Sequence, residues 1–148
     1  AIFIQINIFY DKITMNIQNP FLFCDSPAYN IKDIFCVRLD PIICKKNMLL
    51  EELFYTLWFP GYFGFNWDAL YDCLRDFHWM PFYKIVLIRE SIPDLPHEEL
   101  KIYIDILRDS VLSWKPGEEH SLEVIFKESH REAIEKILAE IDANTVQS

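Results

Sequence analysis

The sequence predicts an α/β fold: a small sheet of three parallel strands covered by helices, with one additional helix at the C-terminus. Two observations carry this. Apolar, partly β-branched runs at residues 34–39, 84–89 and 122–126 have the length of buried strands. Around them lie stretches whose apolar residues repeat at helical spacing, and strands that alternate with helices imply right-handed crossovers within one parallel sheet.

The elements follow in order. Ile34-Phe35-Cys36-Val37-Arg38-Leu39 is a strand ended by Asp40-Pro41, while Phe21 to Cys24 is a weaker edge-strand candidate that nothing in the sequence pairs with the sheet. Asn47 is the expected N-cap of a helix over residues 48–58, with Leu49, Leu50, Leu53, Phe54 and Leu57 on its apolar face and Pro60-Gly61 beyond its end. A second helix is expected from Asn66, its cap, to about Phe77, with Pro81 limiting it. Lys84-Ile85-Val86-Leu87-Ile88-Arg89 is the clearest strand and belongs at the centre of the sheet. A helix over residues 96–114 places Leu100, Ile104, Leu107 and Val111 on one stripe and stops at Lys115-Pro116-Gly117. Leu122-Glu123-Val124-Ile125-Phe126 is the last strand. Residues 129–142 form the closing helix, with Ala133, Ile134, Ile137, Leu138 and Ile141 on one face and Ser129 with Glu132 as a capping box.

The chain has 148 residues, of which 51% are apolar and 16% aromatic, so a packed core is expected despite a net charge of −9. That charge disfavours nucleic acid and anionic membranes as partners, because both select clustered Lys and Arg. A basic protein is the natural complement. Cys24, Cys36, Cys44 and Cys73 form no CxxC pair and no zinc-type spacing, so no metal and no cofactor is implied. Reduced, mostly buried thiols and a cytoplasmic location are the expectation. Residues 1–14 are apolar but broken by Gln5 and Asn7, lack the basic leader and cleavage site of a signal peptide, and are too short to span a bilayer. With Met15 just after them they read as an appended leader, leaving residues 15–148 as a single domain, a monomer when free.

The helix from Asn66 concentrates the candidate chemistry. Trp67, Leu70, Leu74 and Phe77 define a buried face, while Asp68, Asp72 and Asp76 repeat every four residues along another ridge, with Tyr71 and Arg75 beside them. Like charges at this spacing destabilise a helix by about 0.2–0.5 kcal/mol per pair, and Asp76 would also face the negative end of the helix dipole. Such a ridge is either an ordinary solvated face or a surface whose counter-charges come from a partner. Tyr62 and Phe63, next to Gly64 in the preceding turn, together with Tyr71 add aromatic anchors to the carboxylates, a combination typical of binding hot spots. The neighbouring Trp58, Phe59 and Trp67 are assigned to the core, and Cys73 to helix packing.

The run Phe59-Pro60-Gly61-Tyr62-Phe63-Gly64-Phe65-Asn66-Trp67-Asp68-Ala69-Leu70-Tyr71-Asp72-Cys73-Leu74 resembles the core signature of the barstar family, in which Pro, two aromatics, Gly, Asn, Asp-Ala-Leu, an aromatic and Asp-Cys-Leu occur at this spacing. The resemblance extends over roughly residues 33–127, leaving 128–148 as a C-terminal extension. It implies an immunity or antitoxin protein that occludes the active site of a basic ribonuclease. It further implies that Asp72 enters the nuclease's phosphate-binding site, that Asp68 pairs with basic side chains, and that Tyr62 and Tyr71 are contact positions, Tyr71 standing where the prototype has Trp. Asp109, in Leu107-Arg108-Asp109, matches a further family acid on the next helix; Asp76 matches none and rests on helical spacing.

A ribonuclease site built to hold phosphate with cationic side chains would accept a rigidly held carboxylate, with no bond made or broken. An enzyme is the first rival, since paired carboxylates can act as acid and base, but no nucleophile or metal motif accompanies them, and His78, His97, His120 and His130 show no partner spacing. The second rival is a module of the same fold that binds a basic partner other than a ribonuclease.

Overall fold

The computed structural model of the chain describes residues 18–25, 27, 33–39 and 42–147. The stretch read as a leader, residues 1–14, and the Asp40-Pro41 stop lie outside these. The elements run β1 (Leu22–Phe23), β2 (Ile34–Leu39), α1 (Lys46–Thr56), α2 (Trp67–Leu74), β3 (Lys84–Arg89), α3 (His97–Ser113), β4 (Ser121–Phe126), a 3-10 turn (Glu128–His130) and α4 (Arg131–Gln147). The parallel sheet has the order β1-β4-β3-β2, so β3 is internal as expected.

Among the described residues the sheet has four strands rather than three. Leu22 and Phe23 pair with Ile125 and Phe126, and the Cys24 N–H donates to the Phe126 carbonyl at 3.0 Å. Two residues are too few to show an alternation. Burial supplies the reason instead: Phe21 and Phe23 are both buried, and Phe21 meets Phe126 edge-on at 5.3 Å.

Alternation along the strands sorts their side chains between two clusters. Ile85, Leu87, Leu122, Val124, Phe126 and Leu39 join the main core, where they meet Leu50 and Leu53 of α1, Leu70 and Leu74 of α2, Ile104 and Leu107 of α3, and Ile134 and Leu138 of α4. Val86, Ile88 and Ile125 form a smaller cluster of their own. The C-terminal helix thus commits its apolar face to the chain's own core. Ala133, expected on that face, is exposed, and the helix continues past Asp142 to Gln147. Ser129 lies within the 3-10 turn, where Arg131 binds the Glu128 carboxylate at 2.7 and 2.9 Å, in place of the expected capping box.

Arg89 ends β3 facing the helices, and its side chain is fully buried. It pairs with Glu52 of α1 at 3.0 Å and donates to the Tyr103 hydroxyl of α3 at 2.9 Å. Desolvation penalises such charges by several kcal/mol each, and the paired geometry is what offsets it. Tyr103 in turn stacks on Trp67 at 6.4 Å, so this network lies directly beneath the start of α2.

The ends of α1 depart from expectation in two places. Asn47 lies inside α1, and Lys45 takes the cap position with no side-chain cap bond. Trp58, assigned to the core, is 51% exposed: it occupies the left-handed position after α1 with φ +57°, and the Phe59 N–H closes the turn on the Phe54 carbonyl at 3.0 Å. Its indole instead lies against Phe35 at 4.9 Å, whereas Phe59 is core as expected. Two other tryptophans satisfy helix-end carbonyls, Trp79 Nε1 donating to Leu57 at 2.9 Å and Trp114 Nε1 to Leu74 at 3.0 Å. The thiols are all free, but Cys36 and Cys44 are exposed and Cys24 half-buried, so only Cys73 meets the expectation of burial. No helix among the described residues is long and apolar enough to cross a membrane.

Candidate functional site

α2 is a two-turn helix held at both ends. Asn66 adopts extended geometry at its start, and its Oδ1 accepts the Ala69 N–H at 2.8 Å while its Nδ2 donates to the Gly64 carbonyl at 3.2 Å. A Cβ at Gly64 would sit 3.0 Å from that Nδ2, so glycine leaves room for the cap. At the far end Trp114 takes the Leu74 carbonyl, and Leu70, Cys73 and Leu74 are buried. The opposite face is therefore presented rigidly.

Asp68 and Asp72 stand on that exposed face, one turn apart. The Asp72 carboxylate is 77% exposed, and its ion-pair partner Arg75 Nη2 lies at a long 3.4 Å. Asp68 has no ion-pair partner among the described residues and lies in the first turn, where the helix dipole favours a negative charge. Tyr71 is half-buried, with the Arg75 guanidinium 3.8 Å from its ring centroid. Tyr62 is 70% exposed. Its hydroxyl titrates above the ordinary tyrosine range, through what little desolvation it has first and then the charge of Asp76. Burial, then the charges of Asp76 and Asp72, push the Cys73 thiol up to about 11, the behaviour of a packing group rather than a nucleophile.

Two expected contact residues lie elsewhere than their spacing placed them. Phe63 is only 5% exposed, its ring 4.9 Å from both Phe59 and Phe65, because the tight turn closed by its N–H on the Pro60 carbonyl directs Tyr62 outward and Phe63 inward. It supports the loop from below. Asp76 is not on the helical ridge, since α2 ends at Leu74 and the chain turns through Phe77 at φ +51°. Its carboxylate accepts the His78 N–H at 3.3 Å and pairs with His78 Nδ1 at 2.9 Å, which uses it in the turn. The buried Phe77 side chain accounts for the early stop: four-residue spacing continues beyond the helix, but the chain must turn to bury that ring.

Asp109 is exposed on α3, the helix that packs against α2. Burial is the first reason its carboxyl titrates above the usual aspartate range, followed by the neighbouring Asp105; Arg108 and Arg75 oppose the shift, and Asp142 adds to it. Arg75 is the residue that spacing alone undervalued. It pairs with Asp72 and covers Tyr71. Glu118 and Glu119 line a cleft with Arg75 and Asp76 at the margin of this surface, brought there from a loop that no local pattern connects to α2.

The assembled surface is exposed and acidic with two tyrosines, suited to seating cationic side chains. Among the described residues no three His, Cys, Asp or Glu side chains gather as they would around a metal ion. No curated protein and no solved structure matches the chain. The family described as Barstar (barnase inhibitor) matches residues 35–127. That span takes in more than half of the chain, runs from β2 to β4, and includes every residue of the surface just described, and the chain belongs to the barstar family.

Proposed function

We propose that the chain inhibits a ribonuclease, as a cytoplasmic immunity or antitoxin protein, by placing the Asp72 carboxylate in the nuclease's phosphate site. Asp68 and Asp109 pair with basic side chains around that site, and Tyr62 and Tyr71 pack at its rim. The observation that carries this reading is the exposure of Asp72 on a helix fixed by the Asn66 cap and three buried side chains. A carboxylate held this way loses little freedom on binding, so the attraction of a cationic pocket is retained as affinity. Membership in a family of barnase inhibitors agrees with the reading.

The test is an RNA-cleavage assay of barnase and of the basic ribonucleases of the producing organism, each titrated with the purified chain. Stoichiometric suppression of at least one nuclease, lost in Asp72→Ala, is the expected result. Failure to suppress any of them would remove the inhibitor reading and leave a module for another basic partner.

A further inference from the structure

The C-terminal helix lies outside the matched residues 35–127, yet it contacts the helix that carries Asp109. Arg108 is buried between the two: its Nη2 donates to Asp105 on its own helix at 3.1 Å and its Nη1 to Asp142 of α4 at 2.8 Å. Asp142 is the contribution of the extension to this triad. Without it, the guanidinium adjacent in sequence to Asp109 would keep only the Asp105 carboxylate, and the triad would be neutral instead of net negative.

We propose that Asp142 is a positioning residue of the partner-binding surface, the second carboxylate on Arg108 that makes the triad net negative beside Asp109. The C-terminal helix is on this view part of the binding apparatus as well as part of the core. The inference rests on the ribonuclease-inhibitor reading for its partner, but its electrostatic half can be read without one. The charged groups acting on Asp109 are Asp105 and Arg108 from its own helix, Arg75 from the end of α2 and Asp142 from α4.

Asp142→Asn retains an oxygen that can accept from Arg108 while deleting the charge, which separates the electrostatic role from helix docking. Two measurements decide the matter on the full chain. In an NMR pH titration of the Asp109 carboxyl carbon, the variant is expected to titrate at lower pH than the parent. In stopped-flow association with barnase at low salt, the variant is expected to bind about three- to tenfold more slowly, the gap closing as salt is raised, with Asp142→Glu restoring the parent rate. An unmoved Asp109 titration would overturn the proposal. So would an unchanged association rate in a chain whose Asp72→Ala variant binds weakly. If Asp72→Ala binds as the parent does, the inhibitor reading fails instead, and the titration alone decides the link between Asp142 and Asp109.

Discussion

The buried network beneath α2 can be tested by removing it in part and in whole. Glu52→Leu leaves the Arg89 guanidinium, whose side chain is fully buried, with the Tyr103 hydroxyl but without its carboxylate. Breaking one side of such a pair costs about 3–5 kcal/mol, a large share of the roughly 5–15 kcal/mol that holds a domain folded. With a urea slope of about 2 kcal/mol per M, the unfolding midpoint should fall by roughly 2 M. The triple variant Glu52→Leu, Arg89→Met, Tyr103→Phe removes both charges of the pair and the Tyr103 hydroxyl together, and apolar replacement of a buried pair is commonly neutral or stabilising by about 1–4 kcal/mol. Urea unfolding at pH 7, followed by tryptophan fluorescence since Trp67 stacks on Tyr103, measures both variants. A Glu52→Leu cost below about 1 kcal/mol, or a triple variant as unstable as the single one, would refute the view that unpaired burial is what makes the charge expensive.

Other expectations concern the site itself. Asn66→Ala should lower stability by about 0.5–2 kcal/mol through loss of the Ala69 cap, measured in the same unfolding assay. Asp109 titrates above its ordinary range, so its ionised form is disfavoured in the folded chain; Asp109→Asn should raise the unfolding midpoint at pH 7, with the gain vanishing as pH falls below the ordinary aspartate range. The opposite sign holds for Glu140, which its hydrogen bond to His97 moves below the usual glutamate value. Its stabilisation is complete above about pH 4.5 and is lost as pH falls through the depressed folded value, so His97→Ala should flatten that part of the acid limb of the stability curve. In the native protein, alkylation at pH 8 read by mass spectrometry should modify exposed Cys36 and Cys44 well before buried Cys73; equal rates would contradict the packing role.

Much of this fold is legible in the residues because strong periodicity and burial agree: the strand at 84–89 and the stripe Leu100, Ile104, Leu107 both appear where their patterns place them. The misses have local causes. Leu22–Phe23 is too short for periodicity to detect, and Trp58 is drawn out of the core by a left-handed backbone position that hydrophobicity cannot report. At the site, Asp68, Asp72 and Tyr62 are exposed where spacing and the family signature put them, whereas Phe63 turns inward because the tight loop from Pro60 needs a buried ring. Four-residue spacing puts Asp76 on the ridge because it persists beyond Leu74, where the helix ends. The association of Asp142 with Arg108 joins residues 34 apart, and no local spacing carries it.

On the proposed function Asp72 acts on a partner, while Asp76 pairs with His78 of its own chain. The most direct measurement is inhibition of a responsive ribonuclease by Asp72→Ala and by Asp76→Ala, with both variants first confirmed as folded. Asp72→Ala is expected to weaken inhibition several-fold more than Asp76→Ala. Equal losses from the two substitutions, or a greater loss from Asp76→Ala, would contradict it.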